Sequence, residues 1–216
     1  MKAPDFPIAL RLEGRRALVV GAGEVAEGRV RRAVEARARI HLVAPEATPA
    51  LRTLAAEGRL EWSPRPYQAG DCRGAAIVLA ASDDPAVNQA VAAEARALGI
   101  LVNVADAPAL CDFHVPAVAR RGPVTIAVST AGEAPALAAE LRARIESEIG
   151  PEYGTLARLM GRLRRIAPAG PPRRAALRDL IALGAPEQIR AGDRRELWRL
   201  VRRVLGARPP RRDERP

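Results

Sequence analysis

Between residues 16 and 105, short continuous apolar runs alternate with stretches whose apolar residues recur at helical spacing. Residues 16–21 form an apolar run that ends in glycine, and a helical pattern over 24–36 follows. A second run covers 40–44 and stops at Pro45, with a weaker helical stretch over 49–57. Residues 75–81 are almost wholly apolar, Pro85 opens a helical pattern to Leu98 that Gly99 closes, and 100–104 is a further run. Strands buried on both faces read as continuous rather than alternating apolar runs, so this order predicts a parallel sheet with crossover helices.

Residues 123–128 predict one more strand, and Pro135 suits the first turn of a helix. Leu137, Leu141, Ile145 and Ile149 follow at steps of four and form an apolar stripe, to be buried against its own sheet or a second subunit. Beyond Gly150-Pro151 the pattern is all helical. Leu156, Leu159, Met160 and Leu163 share one face, residues 168–172 read as a proline linker, and a short helix over 177–183 ends at Gly184. Asp193 predicts the cap of a last helix carrying Leu197, Leu200, Val201 and Val204, with Gly206 as its stop. The tail from Arg208 is rich in Pro and Arg and reads as disordered; no internal repeat is visible.

Composition narrows the class. Hydrophobic residues make up 48% of the 216, enough for a packed core. No apolar run has the length of a membrane span, and residues 1–10 lack the pattern of a secretory signal, so a cytoplasmic protein is expected. Cys72 and Cys111 make no disulfide framework. The net charge is +10, and Lys2 is the sole lysine. That charge suits a polyanionic partner, either nucleic acid or a small molecule with several carboxylates, and a coding bias toward Arg, Ala and Pro accounts for it equally well. Aromatics are only 3%, which argues against a base-stacking surface.

Gly21-Ala-Gly23-Glu24-Val25-Ala26 matches G-x-G-x-x-A at the end of a strand and the start of a helix. There the first glycine allows the tight turn, the second lets backbone approach a pyrophosphate, and the small third residue lets helix and strand pack closely. The expected fold is α/β: a Rossmann-type doubly wound parallel sheet, then a dimerisation segment and a small helical C-terminal domain. The acid that holds the adenine ribose belongs near the end of the second strand; here Pro45 and Glu46 stand there, a little late, with no arginine for a 2′-phosphate. That favours NAD over NADP. Ala81, Ser82 and Asp83 follow the strand over 75–81 and are expected to line the cofactor cleft, while Asp84 can cap the next helix.

Further segments accompany the glycine turn: Ala80-Ala-Ser-Asp-Asp84, Val102-Asn-Val-Ala-Asp-Ala-Pro108, Cys111-Asp-Phe-His-Val-Pro116, and residues 120–135 from Arg120-Arg-Gly-Pro to Gly-Glu-Ala-Pro135. Taken together this series resembles the precorrin-2 dehydrogenase family, which includes single-domain enzymes and the N-terminal module of siroheme synthases. The resemblance covers about residues 5–150 and extends more loosely into the helical part. It implies oxidation of precorrin-2 to sirohydrochlorin by NAD, for some members a further insertion of Fe2+ to give siroheme, and a homodimer formed through the region matching 115–150. The domains expected are 1–114 for NAD binding, 115–150 for dimerisation, 151–207 helical, and a tail over 208–216. A substrate with eight carboxylates gives the basic charge a purpose.

The resemblance places Asp106 as the catalytic base. From the residues alone it lies just past the end of a strand, where ligands of open α/β sheets bind, and it fits equally an Asx-type turn ahead of Pro108. His114 makes a C-x-x-H pair with Cys111, but two ligands do not build a structural metal site, and none is expected. It reads as a hydrogen-bonded strand-edge histidine or a substrate contact. His41, inside a predicted strand, reads as structural. Arg120 and Arg121 precede the strand over 123–128 as substrate arginines or a solvated turn. Ser129 matches a substrate-cleft serine of the family and equally suits a helix-capping loop. The rival readings are a non-catalytic tetrapyrrole- or dinucleotide-binding regulatory protein and a nucleic-acid-binding Rossmann protein; scattered arginines without a recognition motif speak against the latter. Ala105 stands where the family commonly has Val.

Overall fold

A computed structural model describes residues 5–166 and 171–205. Two compact units divide between Val115 and Pro116.

The first unit runs β1 (Arg16–Val20), α1 (Glu24–Glu35), β2 (Arg39–Val43), α2 (Pro49–Ala56), β3 (Glu61–Ser63), β4 (Ile77–Ala80), α3 (Pro85–Ala97), β5 (Leu101–Val104) and a 3-10 turn at Pro108–Leu110. The strands lie in the order β3-β2-β1-β4-β5, and every pair is parallel. β1 and β4 are central and buried on both faces, which is why both read as continuous apolar runs. Successive side chains go to opposite sides: Ala17 and Val19 join the layer built with Val30 of α1 and Leu51 of α2, while Leu18 and Val20 join the layer built with Val91 and Ala95 of α3. Helices therefore cover both faces, and the chain reverses its winding direction between β1 and β4.

β3 escapes the apolar-run reading because it is a three-residue edge strand, Glu-Trp-Ser, held by pairing with β2 and by Trp62 Nε1 donating to the Ala44 carbonyl (3.0 Å). His41 lies inside β2 and is structural. Its Nδ1 accepts from Arg16 Nη2 at 2.6 Å, so its proton sits on Nε2, which donates to Ser63 Oγ at 2.9 Å. Burial first, and the Arg16 charge second, hold the imidazole below its ordinary pKa. The unfolded chain takes up that proton near pH 6.5 and the folded one resists it, so stability is complete above about pH 7 and falls as pH drops below about 6.5. Urea midpoints of wild type and His41→Gln between about pH 7.5 and pH 5 test this: the fall is shallower in the variant, and equal slopes would remove His41 as its source.

The second unit opens on an antiparallel hairpin, β6 (Ala117–Arg121) and β7 (Val124–Val128), turned at Gly122-Pro123 with Gly122 at φ +59°. α4 (Pro135–Glu148) lies against both strands. Arg120 and Arg121 are thus the last residues of β6, not a turn ahead of a lone strand. The expectation failed because the A-V-A-R-R run has too few apolar residues to announce itself, and only pairing with β7 makes it a strand.

Four helices follow: α5 (Pro151–Ile166), α6 (Pro171–Ala182), α7 (Ala185–Ala191) and α8 (Arg194–Leu205). Leu156, Leu163, Leu180, Leu200 and Val201 form their core, with Leu159, Met160, Leu197 and Val204 packed against it. Both helical stripes read from the sequence are therefore the buried faces. Asp193 Oδ1 accepts from Glu196 N at 2.9 Å, the cap expected for α8. The proposed linker over 168–172 is corrected in part, since Pro171 and Pro172 open α6, a position where proline loses no helical hydrogen bond. Residues 167–170, Gly206 and the tail from Arg208 lie outside the described residues. α7 was not anticipated; it is seven residues between Gly184 (φ +88°) and Gly192 (φ +72°), too short for a periodic pattern. Buried Glu152 of α5 accepts from Arg190 Nε of α7 at 3.2 Å, and that guanidinium holds its carboxyl below the usual range. No helix among the described residues is long and apolar enough to cross a membrane.

Candidate functional site

Because β1, β2, β4 and β5 run parallel, the segments that leave their C-terminal ends share one edge of the sheet. Four segments singled out in the sequence are these: the glycine turn after β1, Pro45-Glu46 after β2, Ala81–Asp83 after β4 and the Asp106 loop after β5. The reversal of winding puts the first and third on adjacent strands, at the switch point where open α/β sheets bind ligands.

The two glycines serve differently. Gly21 has φ +94°, and its N–H donates to Val43 O at 3.0 Å. A Cβ built there would overlap the Ala81 carbonyl and stand 2.6 Å from Ser82 N, so the turn closes on the end of β4 only with glycine. Gly23 has an ordinary φ of −82° and begins α1, and a Cβ there would meet nothing within 4 Å. The space above it is open, and no side chain caps the helix. An uncapped helix N-terminus behind an open glycine fits a pyrophosphate, since the first-turn N–H groups and the helix dipole favour an anion. Glu24 and Val25 are exposed on this turn, and Ala26 is fully buried in the sheet layer, which brings α1 close to β1. Pro45 and Glu46 are exposed past β2.

On the far side of the turn, Ala81 N donates to Val20 O at 2.7 Å. Ser82 is clamped by buried Asn88, whose Oδ1 accepts from Ser82 N (3.1 Å) and whose Nδ2 donates to Ser82 O (2.8 Å). Asp83 is exposed, while Asp84 caps α3 by accepting from Ala86 N at 2.8 Å. Asn88 was missed in the sequence; a polar residue at a buried helical position was the available signal.

Asp106 is exposed and has φ +53°, a left-handed conformation that Asp tolerates better than most residues. The loop carrying it is tied down at both ends. Ala105 N donates to Ala80 O at 2.8 Å, and Val104 N donates to Cys111 Sγ at 3.2 Å. Buried Asn103 donates from Nδ2 to Phe113 O at 2.8 Å, and Asp112 Oδ2 accepts from Val102 N at 3.0 Å. Cys111 is a strut of this loop, its Sγ also 3.2 Å from Val104 O. Among the described residues no group of three or more His, Cys, Asp or Glu stands together as a metal site.

Arg29 lies beneath this edge. From α1 its Nη1 donates to Ala80 O (2.9 Å) and Asn103 O (3.1 Å), stitching the ends of β4 and β5 together. Burial pushes this guanidinium's pKa down. Arg29 looked like one of many helix-surface arginines, and nothing in the sequence marked it.

His114 is half-buried, with Nε2 3.9 Å from Asp5 Oδ2. In the second unit Arg120 is exposed, whereas Arg121 is spent on backbone: it donates to Ile149 O (2.8 Å), Glu146 O (2.7 Å) and Arg120 O (2.9 Å), closing the end of α4. Ser129 Oγ accepts from Ala131 N at 3.2 Å and Thr130 Oγ1 from Ala134 N at 3.1 Å, a capping loop at the start of α4.

A family model described as putative NAD(P)-binding matches residues 8–117, and one described as sirohaem biosynthesis protein central matches 121–148. The siroheme synthase of Pseudomonas putida (strain W619) is 46% identical over 159 residues, 74% of this chain and 34% of that protein. That of Pseudomonas paraeruginosa (strain DSM 24068 / PA7) is 42% identical over 206 residues, 93% of this chain and 44% of that protein. The chain thus spans less than half the length of these curated relatives. Among solved structures, the one titled SirC, precorrin-2 dehydrogenase has the same fold, with a TM-score of 0.74 at 23% identity, covering 94% of this chain and 100% of that one. The siroheme synthases align along most of this chain, and the NAD(P)-binding model spans just over half of it: the chain belongs to this NAD(P)-binding family.

Proposed function

We propose that this chain is a precorrin-2 dehydrogenase that uses NAD to make sirohydrochlorin. The observation that carries the reading is Asp106, exposed in a left-handed conformation on a tied-down loop, at the same sheet edge as an open, uncapped glycine turn. The names of the aligned relatives support the substrate class.

Gly21, Gly23 and the α1 N-terminus, with Glu24, Val25 and Ala26, would hold the pyrophosphate, Pro45 and Glu46 the adenine ribose, and Ala81, Ser82 and Asp83 the cleft wall. NAD supplies the hydride acceptor when bound. The oxidation removes two hydrogens from the macrocycle, one as hydride and one as proton, and Asp106 takes the proton. His114, Arg120, Arg121 and Ser129 are the proposed substrate contacts, the two arginines because a guanidinium matches a carboxylate. Insertion of Fe2+ would strip two pyrrole protons, a task open to the same base. A homodimer through residues 115–150 is supported by Leu137 (52% exposed) and Leu141 (37%) on α4, which need a cover. A cytoplasmic setting agrees with two free thiols.

Anaerobic incubation of the protein with precorrin-2 and NAD, followed by absorbance, tests the proposal. Sirohydrochlorin formed only with NAD supports it, and Fe2+ added afterwards tests chelation against the rate without protein. Folded protein that binds NAD without turnover would point to a non-catalytic binding protein instead.

A further inference from the structure

At the opposite edge of the same sheet, below the N-terminal ends of β1, β2, β4 and β5, lies a groove of about 510 Å3. Arg15, Arg16, Arg39 and Arg73 line it, together with Leu98 and Ile100. It is remote from the glycine turn, because parallel strands put their two ends at opposite edges of the sheet.

The fold fixes the Arg16 side chain and the backbone of Arg15 and Arg39. Arg16 donates from Nη1 to Asp71 O (3.0 Å) and Arg73 O (2.7 Å), and from Nη2 to His41. The parallel pairing of β1 and β2 sets Arg16 opposite Arg39, and Arg39 N donates to Arg15 O at 2.9 Å. The nearby acids are committed elsewhere: Asp71 takes both Nη atoms of Arg65 (2.9 and 2.7 Å), and Glu13 pairs with Arg37 (3.1 Å). No ion pair among the described residues involves Arg15, Arg39 or Arg73, and all three are exposed. Like charges gathered without counter-charges repel one another, and a bound anion relieves that repulsion.

We propose that this groove binds a small multivalent oxyanion, phosphate or carboxylate, at a site separate from the dinucleotide site. Planar guanidinium forks match such groups bidentately. The volume is that of a small-molecule site, and the Leu98–Ile100 wall accommodates an organic body. No aromatic side chain lines the groove, so single-stranded nucleic acid finds no stacking platform there.

Calorimetric titration of the full chain at low ionic strength, with tripolyphosphate, a nucleoside triphosphate and citrate in turn, tests the site. At least one binds saturably, one per chain. Comparison of tripolyphosphate with the nucleotide reads the apolar wall, and citrate separates carboxylate from phosphate. Arg39→Ser with Arg73→Ser weakens that binding by about tenfold or more, while Arg194→Ser with Arg195→Ser in the helical unit removes equal charge and leaves it within about twofold. Both double variants keep the NAD affinity of the wild type, which shows that the sheet is folded. The proposal is overturned if none of the three anions saturates, if both pairs weaken binding equally, or if single-stranded DNA displaces the anion with an affinity that grows with its length.

Discussion

Asp106→Asn lowers precorrin-2 turnover by about 10²–10⁴-fold, the usual contribution of a positioned general base, while the NAD dissociation constant stays within about twofold. The side chain is exposed and its backbone is left-handed at φ +53°, a conformation that Asn adopts as readily as Asp, so the fold has no reason to change. The amide keeps the size and the turn and loses only the ability to accept the proton. Its effect falls on kcat more than on KM, because the base acts in the transition state. Steady-state kinetics with a thermal melt of each protein separates the outcomes. Unchanged kcat removes Asp106 from the chemistry and leaves it as the turn residue ahead of Pro108. A lowered melting temperature would instead assign the loss to the loop.

Gly21→Ala destabilises the first unit by about 3 kcal/mol or more and abolishes NAD binding along with the fold. Two effects add: a φ of +94° strains any L side chain, and the new Cβ overlaps the Ala81 carbonyl, so the ends of β1 and β4 must separate. Backbone cannot swing aside as a flexible side chain can. Gly23→Ala makes the sharper contrast. Its φ is ordinary and its surroundings are empty, so stability changes little, yet the methyl group stands where the pyrophosphate must approach and NAD affinity drops by about tenfold or more. Urea midpoints with NAD titrations of both variants read the two effects separately. A Gly23→Ala protein that binds NAD as wild type does would place the pyrophosphate elsewhere.

Much of the fold was legible in the chain, and the two missed strands have one cause. β1 and β4 announce themselves because burial on both faces demands continuous apolar runs, and β2 and β5 follow with one polar residue, His41 or Asn103, inside a mostly apolar run. α5 and α8 announce themselves because each buries one stripe. β3 is short, β6 ends in two arginines, and each is a strand only through a neighbour, β2 in one case and β7 in the other. A pattern confined to one segment cannot register a partner far along the chain.

At the site the same division holds. The glycine turn and the Asp106 segment are local motifs, recognisable because a tight turn and a strand end each demand particular residues in sequence. Arg29, Asn88 and Asn103 could not be found that way. Their importance comes from carbonyls and amides brought to them by the sheet: Ala80 and Asn103 for Arg29, Ser82 for Asn88, Phe113 for Asn103. The arginines of the lower groove were part of an overall positive charge in the sequence, and parallel pairing of strands distant along the chain collects them at one edge. The sequence by itself determined the parallel α/β class, the glycine turn and the place of Asp106 after a strand, because each depends on local periodicity or local backbone need. Tertiary structure alone decided which polar side chains hold that machinery in place and where unpaired charge accumulates, because hydrogen bonds and ion pairs depend on distance in space.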